Sequence, residues 1–244
     1  MGAARAPQIA AMGGGGFSMA DDFADRGGDP DAAHRLDDWA FGLTGMEHPA
    51  VCFVPTASGD AEGYVERFHE HVDGRARTSH LLLFHRDETD LRRHVLAQNL
   101  VYVGGGSTAN LLAVWRTHGL DRIVREALDA GVVLAGVSAG ALCWFSGGTT
   151  DSFGPYAPLR DGLGFVTGSF CPHYDGEAPR RPGYLAAVRD GVLPAGLAAD
   201  DDTAVGFRDG RLVEAVTNRP GARVHRVDPC QGATTQVALP TSLL

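Results

Sequence analysis

Up to about residue 147 the chain repeats one pattern: a short, unbroken apolar run ends at glycine, proline or a small residue and gives way to a stretch with helical spacing. The runs predict strands at Gln8–Met12, Ala50–Val54, Ser79–Phe84, Leu100–Val103 and Val132–Gly136. The intervening spacing predicts helices through Leu36, Trp39, Ala40 and Leu43, then over Ala61–Val72, Asp90–Ala97, Ala109–Thr117 and Asp121–Ala130, with one more starting at Ser138. Strands apolar at consecutive rather than alternate positions are buried on both faces. A strand followed by a helix, again and again, builds a parallel sheet, because each crossover helix must pack back onto the sheet it left. The expected fold class is therefore α/β, a mostly parallel sheet with helices on both faces.

After Gly147 the periodicity degrades. Apolar pieces at Leu163–Val166, Ala204–Arg208 and Arg211–Ala215 predict late strands, and the Asp209-Gly210 pair between the last two is a hairpin signal that makes them antiparallel. With 244 residues, 44% of them hydrophobic, the chain fills one substantial core, so a single domain over residues 1–244 is expected, with residues 1–7 as a loose leader.

Charge and cysteine usage narrow the partners. A net charge of -9 with no dense Lys/Arg run argues against a nucleic-acid surface. Cys52, Cys143, Cys171 and Cys230 lie far apart without a C-x-x-C pair, which predicts free thiols in a reducing compartment. The glycines at 13–16 interrupt the apolar run needed for a signal peptide, and no stretch reaches the length of a membrane span. The expectation is a cytoplasmic protein without membrane or nucleic-acid partners.

Ligands of open parallel sheets collect beyond the carboxyl ends of the strands. Three glycine-rich segments fall there: Gly13–Gly16, Gly104–Ser107 and Gly136–Gly140. The last reads Gly136-Val137-Ser138-Ala139-Gly140, the G-x-S-x-G nucleophile elbow, in which small neighbours permit a sharp strand-to-helix turn that pushes the serine hydroxyl outward. The plain alternative is a helix-capping serine. A serine hydroxyl needs a base. The histidines ahead of the elbow sit in helices or charged surroundings, where solvated surface is the simplest reading, although His69-x-His71 has a spacing that can bind metal. His173, in Phe170-Cys171-Pro172-His173-Tyr174-Asp175, has an apolar approach to a loop and is the best base, with His225 in reserve. An acid must orient that base, and Asp200-Asp201-Asp202 offers three candidates of which at most one can reach His173. For the oxyanion, the Ala139 amide is one natural donor, and Gly106, with Gly105 close behind, supplies the second.

Two other readings use the same residues. An esterase of the ordinary α/β-hydrolase type would order its triad serine, acid, histidine and use Asp151 or Asp161 with His225. A noncatalytic domain would cradle an anion or nucleotide on Gly13–Gly16.

Taken together, Tyr102-Val103-Gly104-Gly105-Gly106-Ser107-Thr108, Gly136–Gly140 and Pro172-His173-Tyr174 resemble the peptidase E family, the S51 serine peptidases. Ala10-Ala11-Met12 with the glycines at 13–16, and Val54-Pro55-Thr56-Ala57-Ser58, resemble it too, so the likeness runs from about residue 8 to residue 215. The resemblance implies a class I glutamine-amidotransferase-like fold, a flavodoxin-like three-layer sandwich, and a Ser-His-acid triad that hydrolyses short peptides without a metal or cofactor. Aligning the strand Thr203–Phe207 with the family's places the acid at Asp201, with Asp200 as the near alternative. Arg180 matches, by spacing, an arginine that reads a substrate carboxylate in the founding Asp-X dipeptidases. The sequence departs from the family at Ser107, where asparagine is common, at Tyr174-Asp175 and around Pro179-Arg180-Arg181-Pro182. The implied enzyme is a dipeptidase or aminopeptidase-like exopeptidase, monomeric or homodimeric, acting through an acyl-enzyme on Ser138.

Overall fold

The computed structural model describes residues 6–21, 23–25, 29, 32–86 and 88–244. Of the expected leader, residues 1–5 lie outside the described residues; Pro7, its last member, is anchored, because its carbonyl accepts from the Asp209 amide at 2.9 Å.

The first half of the chain runs β1 (Gln8–Met12), α1 (Arg35–Gly42), β2 (Ala50–Val54), α2 (Glu62–His71), β3 (Arg77–His80), α3 (Leu91–Leu96), β4 (Leu100–Val103), α4 (Thr108–His118), α5 (Leu120–Asp129) and β5 (Val133–Val137). The five strands pair in parallel in the order β1-β5-β4-β2-β3. Alternate residues of each strand serve opposite cores. Ile9, Ala11, Val101 and Val103 pack with Leu111, Trp115 and Val124 of the α4–α5 side. Ala10, Met12, Leu100 and Tyr102 pack with Leu36, Phe41 and Phe68 of the α1–α2 side. Helices thus cover both faces, as the unbroken apolar runs require.

Local chemistry sets the ends. Asp90 caps α3 by accepting from the Arg93 amide at 2.9 Å, Ser107 caps α4 by accepting from Asn110, and Gly119 closes α4 in the left-handed region at φ 70°. The predicted strand Ser79–Phe84 is displaced: pairing with β2 covers Arg77–His80 and ends soon after, because the Asp60 carboxylate takes the Leu83 and Phe84 amides at 2.6 and 2.8 Å. The helix expected from Ser138 is a single turn, α6 (Ala139–Leu142).

The second half is richer in strands than the sequence suggests. It contains β6 (Phe145–Thr150), β7 (Ala157–Leu159), β8 (Val166–Cys171), α7 (Arg180–Arg189), β9 (Gly196–Ala199), β10 (Thr203–Arg208), β11 (Arg211–Thr217), β12 (Val224–Cys230), β13 (Ala233–Ala238) and β14 (Ser242–Leu243). The strand expected at Leu163–Val166 begins only at Val166. β10 and β11 form the antiparallel hairpin that Asp209-Gly210 predicted, both turn residues having positive φ, at 51° and 70°. This hairpin joins the parallel sheet through β10, antiparallel to β1, so β1 lies between β5 and β10. β14 extends the same sheet by pairing with β11, and the remaining strands form a second sheet in the order β13-β12-β9-β8-β6-β7. Phe145, Val166, Phe170 and Leu197 from it share a core with Ile9 and Leu134, and α7 covers part of it through Tyr184, Ala187 and Val188.

Candidate active site

β5 and α6 meet at Ser138, whose backbone (φ 54°, ψ -113°) is outside the regions an L-residue ordinarily occupies, a strain of about 1–3 kcal/mol. The surrounding structure enforces it. A Cβ on Gly136 would lie 2.1 Å from the Gly140 carbonyl oxygen, and one on Gly140 2.3 Å from that of Val103, so both glycines of G-x-S-x-G are needed for the chain to double back here. Because α6 is one turn long, its dipole adds little.

His173, also at positive φ (52°), follows β8 and points its ring between Ser138 and Asp201. Its Nε2 lies 2.9 Å from Ser138 Oγ and its Nδ1 2.6 Å from Asp201 Oδ1. The line runs inward from a half-buried serine through a histidine side chain 15% exposed to an acid 6% exposed. With Nδ1–H donating to the carboxylate, Nε2 is the acceptor for the Ser138 hydroxyl.

The glycine tract after β1 is the frame for this line. Three successive carbonyls accept, each at 3.1 Å, from the amides of Ser138 (on Met12), His173 (on Gly13) and Asp202 (on Gly14). Gly14 also passes so close that a Cβ there would lie 2.1 Å from Asp201 Oδ1 and 2.8 Å from His173 Nδ1. The tract therefore has a structural employment within the site, and the anion-cradle reading finds no support in it.

The three adjacent aspartates point apart, as expected of consecutive residues. Asp200 turns to the Arg223 amide (2.8 Å) and lies 3.9 Å from His225 Nε2; burial, the main cause, pushes its carboxyl up to about 6. Asp202, at φ 65°, pairs with Arg219. Only Asp201 bonds to His173. His225 packs against Tyr174 rather than Ser138, and Asp161 pairs with Arg116, so the esterase ordering does not assemble.

Near Ser138, the Gly105 amide is already engaged by Tyr64 Oη at 3.1 Å, which leaves Gly106 and Ala139 as the candidate oxyanion donors. Burial, the largest influence, pushes the Tyr64 hydroxyl up to about 12, so it stays protonated. Tyr64 stacks on Phe17 at 5.0 Å in an aromatic cluster with Phe53, Phe68 and Tyr102. Beneath them the fully buried Asp37 accepts from the Phe17 amide (2.8 Å), Tyr102 Oη (2.7 Å) and His71 Nε2 (3.0 Å). His71 is thus not the solvated surface residue its sequence context suggests. His69 turns instead to Thr78 and His80, so the H-x-H pair is split, and among the described residues no three His, Cys, Asp or Glu side chains are grouped to hold a metal. Arg180 stands at the start of α7, 5% exposed, donating to Glu177 at 2.7 Å and lying over the Tyr156 ring at 4.6 Å; no bond joins it to Ser138, His173 or Asp201.

Residues 11–215 match the family model of peptidase family S51. The chain belongs to that family. This S51 peptidase is 45% identical over 238 residues to YgaJ of Bacillus subtilis (strain 168), called an uncharacterized peptidase, with 97% of this chain and 99% of that protein covered. Its fold is similar to that of a crystallised peptidase from an acI-B1 Actinobacterium (TM-score 0.66, 17% identity, 96% and 95% of the two chains) and of a putative peptidase E protein from Listeria monocytogenes EGD-e (TM-score 0.59, 17% identity, 85% and 97%). The S51 peptidase therefore has the flavodoxin-like α/β fold of these proteins and is a serine-type peptidase. Among its described residues no helix is long and apolar enough to cross a membrane, and its four cysteines are free.

Sequence reasoning missed Tyr64, Asp175 and Arg219. Arg219 follows β11 and donates to Asp202 Oδ2 (3.0 Å), Asp175 Oδ2 (2.6 Å) and the Asp201 carbonyl (3.0 Å). Burial works against its charge, and the bonds to Asp175 and Asp202 outweigh it, so the guanidinium is held above its ordinary value. The only signal was a lone arginine in a polar turn, Thr217-Asn218-Arg219-Pro220-Gly221.

Proposed function

We propose that this peptidase hydrolyses short peptides as an exopeptidase, a dipeptidase or aminopeptidase-like enzyme, through a Ser138-His173-Asp201 triad and an acyl-enzyme. The hydrogen-bonded line from Asp201 Oδ1 through His173 to Ser138 Oγ is the observation that carries this reading. His173 Nε2 takes the proton from Ser138 as Oγ attacks the peptide carbonyl carbon, and the Gly106 and Ala139 amides receive the developing oxyanion. The C–N bond then breaks, and Nε2 returns the proton to the departing amine. Water repeats the sequence on the acyl ester, with His173 again as base, and releases the acid. Asp201 keeps Nδ1 protonated and stabilises the imidazolium. Side chains and amides of the chain carry every step.

Arg180 is assigned as the reader of a substrate carboxylate. Glu177, whose side chain is 39% exposed, holds the place such a carboxylate would take and can swing into water when one arrives. Four free thiols fit a cytoplasmic setting, and either a monomer or a homodimer suits a site built from one chain.

The test is a panel of dipeptides and aminoacyl amides, Asp-led members included, offered to wild type, Ser138→Ala and His173→Ala. Each substitution is expected to cost on the order of 10⁶-fold in kcat. Wild-type-like turnover by Ser138→Ala would falsify the assignment.

A further inference from the structure

The triad acid is itself gripped from both sides. The Asp201 amide donates to Asp175 Oδ1 at 2.7 Å, and the Asp201 carbonyl accepts from Arg219 at 3.0 Å. Arg219 simultaneously holds the other oxygen of Asp175 and, through Nε, the Asp202 carboxylate. Asp175 is two residues beyond His173, and Asp202 is the residue after Asp201. One guanidinium therefore ties the turn that carries the base to the turn that carries the acid, and both turns contain a residue at positive φ that needs holding. The planar fork of arginine suits this multiple engagement, with Nε and one terminal nitrogen facing three acceptors, as a lysine ammonium does not.

We infer that Arg219 and Asp175 are positioning residues for the triad acid, fixing the Asp201 carboxylate on His173 Nδ1 by clamping the peptide groups on either side of Asp201. The inference rests on the triad reading above. Neither residue touches Ser138 or His173 through any hydrogen bond in the structure, so they act through Asp201.

Electrostatics gives the clamp a signature that a purely structural contact lacks. The acid turn gathers Asp175, Asp200, Asp201 and Asp202. Arg219 pairs with Asp175 and Asp202 and its charge also reaches Asp200, which accepts from the Arg223 backbone amide and lies near His225. Removing Arg219 takes a cation from the neighbourhood of the base and favours its protonated form, so the acid limb of the rate profile moves to higher pH. Removing the charge of Asp175 takes away an anion, and the limb moves to lower pH.

The experiment measures the rate at which a fluorophosphonate labels Ser138, as a function of pH, in wild type, Arg219→Gln, Arg219→Lys and Asp175→Asn, with His173→Ala and Asp201→Asn as references and melting temperatures alongside. This readout needs no knowledge of the preferred peptide. Arg219→Gln is expected to label on the order of 10²-fold more slowly, the cost of a small misplacement of a catalytic group. Its acid limb moves up, that of Asp175→Asn moves down, and Arg219→Lys recovers part of the rate with the limb near its wild-type position. Arg219→Gln labelling within about twofold of wild type, with an unmoved limb, overturns the proposal. So do slower rates with unmoved limbs in both variants and lowered melting temperatures, which assign the pair to fold stability alone. If Arg219→Gln does not fold, Arg219→Lys and Asp175→Asn decide: wild-type rates and limbs in both overturn it. Wild type that fails to label at Ser138, or labels equally in His173→Ala, removes the triad reading and the inference with it. Labelling that depends on His173 and Asp201 but not on Arg219 removes the inference alone.

Discussion

A single methyl group placed on Gly14 tests the assembly of this site more sharply than removal of any triad member. Its Cβ would lie 2.1 Å from Asp201 Oδ1, 2.8 Å from His173 Nδ1 and 2.9 Å from His173 Cε1, whereas ordinary contact begins at 3.4 Å. The backbone of Gly14 lies outside the left-handed region, so alanine is acceptable to the main chain and its cost falls on the side chains it meets. To make room the carboxylate must withdraw by more than about 1 Å, which breaks the 2.6 Å bond to His173. A misplacement of that size costs on the order of 10²-fold, and outright loss of the orienting acid about 10⁴-fold. Gly14→Ala should therefore lower kcat by between these limits, a loss of about 3 to 5 kcal/mol of transition-state stabilisation. The assay is steady-state hydrolysis of the best dipeptide together with the fluorophosphonate rate, on protein whose circular dichroism matches wild type. Gly183→Ala in α7, where a Cβ meets nothing within 4 Å, is the control; it should keep full activity and gain up to about 1 kcal/mol of stability. A Gly14→Ala enzyme that is folded and as fast as wild type would refute the claim that this glycine is there to let acid and base meet.

Three further outcomes follow from the site. Burial raises the Asp200 carboxyl from 3.8 to about 6, so its favourable contribution is complete below about 3.8 and is lost as pH rises through about 6; urea midpoints of Asp200→Asn should gain on wild type across that window, and a difference flat between pH 4 and pH 8 counts against the account. Tyr64→Phe strips the Gly105 amide of its acceptor and should cost about 1–3 kcal/mol in urea unfolding while slowing the labelling of Ser138, so an unchanged midpoint is the contrary result. Glu177→Gln should raise kcat/KM for Asp-led dipeptides over Ala-led ones, and Arg180→Gln should erase that preference; parallel changes for both substrates would remove Arg180 from substrate recognition.

Much of this was legible in the sequence because β1, β2, β4 and β5 are buried on both faces and carry almost nothing but apolar residues. The elbow and the hairpin were legible for a different reason: Gly136, Gly140 and Asp209-Gly210 occupy backbone positions few other residues tolerate. The second sheet was not legible. Its strands read Phe-Ser-Gly-Gly-Thr-Thr, Val-Thr-Gly-Ser-Phe-Cys and Gly-Leu-Ala-Ala, with neither the alternation of a half-exposed strand nor the length of a buried one, and they are held by ladder pairing and by the core they share with β1 and β5. α7 was hidden by Pro182-Gly183 within it. Within the proposed site, Ser138 and His173 stood out from local sequence as candidates, whereas choosing Asp201 from three adjacent carboxylates took a family alignment. Arg219 and Asp175 reach the acid turn and each other through contacts between residues 17 to 44 positions apart, which no local pattern encodes.

Hanging Ser138, His173 and the turn at Asp202 from three consecutive carbonyls has a consequence for the chain as it is made. Met12, Gly13 and Gly14 are made long before their partners, the amides of residues 138, 173 and 202, the last of which belongs to the turn that leads into β10. β1 itself is completed only when β5 and β10 close on either side of it. Contacts so distant in sequence form late, after the entropy of closing long loops has been met. On the proposed triad, a half-folded chain has its serine, histidine and aspartate apart, and hydrolysis is expected to begin only once β10 has docked on β1.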